Sequence, residues 1–226
     1  MTAEQLKKRV KAKLEEYSPY DTGESFFVLE EDNGNEYVKP LDGYIDDTME
    51  HACNEALMTI PLHLIRARCF KNSRIVHGCQ GGVTGYVVLP DDFLRLTAFR
   101  MCGWEKEVVV PISTTSPAYA LQKNKYTMGT PFAPVCALAR NMTYDEQGNP
   151  AGTGLTLEYY SVFPFTKHAI DKALYVARYD KDDIQDDLSE YFALTTAAKV
   201  LDIMGQAQLS QVLAQEYMSL IQNNSH

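Results

Sequence analysis

The apolar side chains of this chain change their repeat twice, and that restricts the folds open to it. Leu6, Val10, Leu14 and Tyr17 recur every three or four residues, as do Ile45, Met49, Cys53, Ala56, Leu57 and Ile60. That spacing lays a stripe along one face of a helix. From about Lys71 to Val162 the texture turns to β-branched runs, Val83 to Leu89 and Glu107 to Val110, and to alternation. Leu94, Leu96 and Ala98 there alternate with Arg95, Thr97 and Phe99. A helical stripe then returns in Leu209, Val212, Leu213, Tyr217, Leu220 and Ile221. The chain is expected to be α+β, with a central, mostly antiparallel β-subdomain at 71–163. Helices of 1–70 and 164–226 complete a helical bundle around it.

Local signals place the breaks. Thr2 with Gln5 can form a capping box, and Ser18-Pro19 ends the first helix. A second helix runs from Asp42 or Ile45 to Ile60, and Pro61 breaks it or starts a new one through Leu62, Leu64 and Ile65. Strands at 135–144 and 155–162 flank the turn-forming stretch Asp145 to Gly152, which predicts a hairpin with an extended tip. Ile170, Leu174 and Ala177 suggest a short helix. Asp187 with Glu190 offers a cap for a helix ending at Met204, where Gly205 is a natural left-handed stop. Long loops at 18–43, 111–134 and 145–153 carry aromatic and methionine side chains.

Composition narrows the function classes. The chain has 226 residues, 21 basic and 30 acidic side chains and a net charge of −9, so affinity through phosphate neutralisation is disfavoured. No apolar run is long enough to span a membrane, and the N-terminus lacks the apolar core of a secretory signal, so a cytoplasmic origin is expected. Five scattered cysteines, Cys53, Cys69, Cys79, Cys102 and Cys136, read as reduced thiols. Lys7, Lys8, Arg9, Lys11 and Lys13 lie among Glu4, Glu15 and Glu16, and read as a solvated helix face before an acidic-partner site.

The common phosphate-binding, zinc-protease, serine-hydrolase and dinucleotide motifs are absent from the sequence. Cys69, His77 and Cys79 could be imagined around zinc, but their spacing fits no paired-ligand pattern. The Gly-rich stretch Gly78 to Gly85 reads as a flexible turn. The pairs Asp46-Asp47, Asp91-Asp92, Asp182-Asp183 and Asp186-Asp187 sit where carboxylates cap helices and turns. The reading is therefore no enzyme, no metal and no cofactor. The competing one is a small soluble hydrolase using Asp91, Asp92 or the Cys69–His77 region.

Leu89-Pro90-Asp91-Asp92-Phe93-Leu94-Arg95-Leu96 resembles the turn into a strand found in head-to-tail connector proteins of short-tailed phages. The order of parts is also similar: N-terminal helices, this turn, and a β insert carrying Trp104, Tyr119, Gln122, Gly129-Thr130-Pro131 and Pro134-Val135. The strand Leu157 to Tyr160 and C-terminal helices follow. The tyrosine-rich, acidic style is similar to ring proteins of crAss-like phages. The resemblance implies a virion protein with no catalytic role, forming a ring of twelve copies beneath the portal protein and docking other connector or tail proteins. DNA would slide through its channel without sequence-specific binding, and no membrane is involved. Phe26, Phe27, Trp104, Tyr119, Tyr126 and Phe132 are the candidate partner-binding residues, with packing inside one subunit as the competing role.

Overall fold

The computed structural model describes residues 1–16, 41–77, 84–144, 149–161 and 169–224. In chain order the elements are α1 (Ala3–Glu16), α2 (Leu41–Thr59), β1 (Arg68–Cys69), β2 (Ile75–His77), β3 (Thr84–Val88) and β4 (Phe93–Met101). There follow β5 (Ile112–Ser113), α3 (Pro117–Leu121), β6 (Val135–Tyr144), β7 (Pro150–Tyr160), β8 (Ile170–Ala177), α4 (Ser189–Ile203) and α5 (Ala207–Asn223). The fold is α+β, with helices toward both termini and antiparallel pairing predominant in the sheets. It divides into two units. A helical one comprises Met1–Arg66 with Arg178–His226, and a β-rich one comprises Ala67–Ala177.

In the helical unit the expected stripe of α1 is buried as Leu6, Val10 and Leu14. Its start is the reciprocal cap read from sequence: the Thr2 N–H donates to Gln5 Oε1 (2.9 Å) and the Gln5 N–H to Thr2 Oγ1 (3.3 Å). In α2, Ile45, Met49, Cys53, Ala56 and Leu57 turn inward. After Pro61 the helix does not restart, and only a single 3-10 turn, Leu62–Leu64, follows. The centre of the unit is α4, buried on most of its circumference and packed against α1, α2 and α5. Its cap differs from expectation. Asp186–Leu188 form a 3-10 turn, so Leu188 occupies the cap position and Asp187 lies one residue too early to serve it. Lys13 draws the elements together through Glu190 of α4 (2.9 Å) and Glu216 of α5 (3.1 Å). Burial would lower the Lys13 pKa, but its hydrogen bonds to Glu190 and Glu216 prevail and raise it. Gly205 takes φ +78 and ends α4, as read from sequence.

The β-rich unit contains two sheets, ordered β1-β8-β4 and β2-β3-β7-β6-β5, with β5 and β6 parallel and the other pairs antiparallel. Phe93, Phe99 and Tyr175 from the first, with Phe70 just after β1, join Val87, Cys136, Leu157 and Tyr159 from the second in one core. Rings dominate it: Phe93 stacks on Tyr175 at 5.8 Å, Tyr175 meets Phe70 edge-on at 5.7 Å, and Phe70 stacks on Phe99 at 6.1 Å.

Three sequence expectations are corrected here. The stretch around Ile170, Leu174 and Ala177 is a strand, β8, because antiparallel pairing with β4 and β1 buries Ala173, Tyr175 and Val176. The β-rich unit therefore reaches Ala177. Glu107 to Val110 is not a strand: only Val108 bridges to Phe99, and Val110 is 79% exposed. In β4 the alternation is broken by register shifts, so Phe99, read as pointing away from the core with Arg95, is fully buried. The predicted hairpin is present as β6 and β7, in register from Val135↔Tyr160 to Asn141↔Gly154. Its tip, like most of the Gly78 to Gly85 stretch and the 18–43 loop, lies largely outside the described residues.

Candidate docking surface

The segment 109–134 leaves the β-rich core and returns to it. Pro111 and β5 lay its start against β6, where Ile112 pairs with Ala137. Ser116 then caps α3, accepting from the Ala118 N–H (3.3 Å), with Pro117 at the first helical position, where its missing N–H costs nothing. Two buried side chains hold the return. Gln122 is 5% exposed and its Oε1 accepts from the Gly129 N–H (2.9 Å), and Met128 is 5% exposed. Gly129 is required by space: a Cβ there would lie 2.8 Å from the Val135 nitrogen and 2.9 Å from the Tyr160 carbonyl oxygen. The Glu105 N–H donates to the Pro131 carbonyl (2.9 Å), fixing the far end.

The partner-binding candidates separate on this frame. Trp104 is 5% exposed and edge-on to Phe99 at 5.8 Å, so it belongs to the core of its own unit and not to the surface. Tyr119 is half-buried, edge-on to Tyr160 at 6.3 Å, and its hydroxyl donates to Glu158 Oε2 (2.9 Å). Tyr160 donates to the same oxygen (2.5 Å), while Asn141 Nδ2 donates to Glu158 Oε1 (2.9 Å). Burial and the Glu158 carboxylate raise the Tyr160 pKa. Three donors converge on one carboxylate, which binds α3 to the β6–β7 pair. Tyr126 and Phe132 stand out from the arm, 83% and 65% exposed, with Leu121 at 53%. Lys125 lies over the Tyr126 ring, 4.9 Å from its centre. Phe26 and Phe27 lie outside the described residues.

No family model matches the chain, and no curated protein matches it.

Several of the carboxylates considered for chemistry are paired. Asp92 accepts from Arg68 (2.7 Å) and from the Tyr175 hydroxyl (2.8 Å), Asp46 pairs with Lys7 (2.8 Å), and Asp183 with Arg66 (3.3 Å). Asp186 pairs with the N-terminal amine (2.6 Å), which with its hydrogen bond holds the carboxyl below the usual range. Cys53 is buried and its thiol pushed up to about 12, which leaves it protonated and unreactive at neutral pH. Cys69 is exposed, while Cys79 and the side chain of His77 lie outside the described residues. Among the described residues no group of three His, Cys, Asp or Glu side chains could hold a metal ion. Among them, too, no helix is long and apolar enough to cross a membrane.

Sequence reasoning did not find Glu158, the charge that organises this surface. Its signal was present but weak: Tyr160 stands two positions after Glu158 on a strand, where residues i and i+2 share a face.

Proposed function

We propose that this protein is a structural subunit of a phage head-to-tail connector, a ring placed beneath the portal that docks further connector or tail proteins. The observation that carries the reading is the 109–134 arm. It is tied down at Gln122, Met128 and Gly129, yet presents Val110, Leu121, Tyr126 and Phe132 to solvent. An isolated chain gains nothing by holding such rings in water. A partner that covers them gains buried area at little further entropy cost, because the arm is already ordered. The resemblance of the Leu89 to Leu96 turn and of the order of parts supports the same reading, as does the net charge of −9. An acidic channel wall repels DNA and lets it slide. Twelve copies is the symmetry that the resemblance implies.

The reading expects a portal protein to be encoded nearby, and the test is co-sedimentation of the chain with that portal protein. Wild-type protein is expected to join the portal in an assembly of defined mass. Tyr126→Ser with Phe132→Ser should weaken that association at least tenfold while leaving the thermal midpoint within about 2 °C, since both rings are exposed. Full association by the double variant would remove the arm from the contact, and a chain that stays monomeric beside the portal would overturn the reading.

A further inference from the structure

The charge of this chain is shared unevenly between its two units. The β-rich unit, Ala67–Ala177, has 11 basic and 8 acidic side chains, a net +3. The helical unit holds the other 10 basic and 22 acidic ones, a net −12. The longest stretch of the chain without Asp or Glu, the 37 residues from Val108 to Tyr144, contains the whole arm. At the average of the chain, 30 acids in 226 residues, that stretch would hold about five. Its charged side chains are Lys123, Lys125 and Arg140, all exposed.

Three cations elsewhere in the unit are matched: Arg68 by Asp92 (2.7 Å), Arg100 by Asp171 (2.6 Å) and Lys172 by Glu107 (2.7 Å). Among the described residues no carboxylate pairs with Lys123, Lys125 or Arg140. Lys123 lies over the Tyr119 ring, 5.4 Å from its centre, as Lys125 lies over Tyr126, so each ammonium is steadied without being neutralised. Of the carboxylates close to the arm, Glu158 is taken by its three donors, and Glu105, at the foot of the arm, stands next to Lys106 in the chain. Asp145 and Glu146 follow the stretch and lie outside the described residues. The arm thus sets unmatched positive charge beside Val110, Leu121, Tyr126 and Phe132, which are aliphatic as well as aromatic. Nucleic-acid bases stack on rings but gain little from Val110 and Leu121, and three cations are few for a polyanion that also meets a unit of −12. A protein that offers carboxylates among apolar side chains answers both parts of the surface.

We infer that the arm takes an acidic, apolar segment of another protein, whose carboxylates meet Lys123 and Lys125 while its apolar side chains cover Tyr126 and Phe132. The inference rests on the arm as the docking surface of the proposed connector and adds the chemistry of what docks there. It also gives a chain of −9 a place at which an acidic partner is drawn in, since the attraction is confined to the arm.

The experiment measures fluorescence anisotropy of labelled probes with the full chain. One probe is a peptide of about twelve residues that alternates Glu with Leu and Phe; the second carries Gln for every Glu, and the third is oligothymidylate of the same charge as the first. In about 50 mM salt the Glu peptide is expected to bind at least tenfold tighter than the Gln peptide, and to lose at least fivefold at about 300 mM, because exposed charges are screened. Lys123→Gln with Lys125→Gln should erase the preference for Glu over Gln and keep the thermal midpoint, since both side chains are exposed. Tyr126→Ser with Phe132→Ser should weaken both peptides. Equal affinity for the two peptides, a preference that survives the lysine double variant, or no binding of the Glu peptide at about 1 mM would overturn the inference. Tighter binding of oligothymidylate would overturn it in favour of a nucleic acid. Self-association of the chain that the lysine double variant abolishes would overturn it in favour of a second copy. Each of these results leaves the connector reading standing, because that reading is decided by co-sedimentation with the portal protein.

Discussion

At the scale of single residues, Glu158 is the most demanding group in the β-rich unit. Its two oxygens accept from Tyr119, Tyr160 and Asn141. An amide in its place that keeps its oxygen on the Asn141 amide turns its hydrogens to the two hydroxyls, which must then accept instead of donate, and the charge-assisted bonds to the carboxylate are lost. Glu158→Gln should therefore destabilise the unit by about 1–3 kcal/mol, read as a lower denaturant midpoint, although the change is nearly isosteric. A midpoint equal to wild type would mean that the three donors are satisfied in another way. Gly129→Ala tests the same neighbourhood through space. Its Cβ would meet backbone atoms of Val135 and Tyr160, which cannot rotate away, and a cost of about 1–3 kcal/mol is expected in the same unfolding measurement.

At the scale of elements, α5 lies along α4 but fully buries little of itself. Leu213 is its one buried side chain, and Leu213→Ala should cost about 2–5 kcal/mol. Amide exchange should localise the loss, with α5 amides exchanging much faster than those of α1; uniform acceleration would count against this. Elements also mark what could be read from sequence. The stripes of α1 and α2, the cap at Thr2 and the β6–β7 hairpin are written in neighbours a few residues apart, and they were legible. The β8 strand was not. Its burial pattern is set by β4, some 70 positions earlier, while the i, i+4, i+7 spacing of Ile170, Leu174 and Ala177 carries a helical signal that long-range pairing overrides. Phe99 was misplaced for a related reason, since register shifts in β4 turn successive side chains to one side and no local pattern announces them. In the arm, Tyr126 and Phe132 could be singled out as aromatic, but their exposure depends on Gln122 and Gly129 meeting across the loop, a contact that spacing alone does not reveal.

At the scale of the whole molecule, the tyrosines set the alkaline limit. Burial pushes Tyr159 and Tyr175 up to about 12, Tyr175 with help from Asp92, and raises Tyr160 and Tyr179 as well. The unfolded chain releases these protons near pH 10. Below that value both states are protonated and the contribution to stability is complete; above it the unfolded state ionises first, and stability falls as pH rises toward the folded values. The thermal midpoint is expected to start falling gently above about pH 8.5, where the unfolded chain ionises the thiols that burial keeps protonated at Cys53 and Cys136, and to decline more steeply beyond about 10, with tyrosinate absorbance rising as the protein melts. A midpoint still level at pH 11 would contradict the burial of these hydroxyls. In the order of the chain the β-rich unit interrupts the helical one, and this has a consequence in time. Arg9 bonds Ser189, 180 positions away, and α1 and α2 bury their apolar faces against α4, whereas every strand of Ala67–Ala177 finds its partner within that stretch. On a ribosome adding about 5–20 residues per second, the first helices made are among the last to be completed, and they wait on the order of ten seconds with their apolar stripes uncovered. The middle of the chain can finish folding before its beginning.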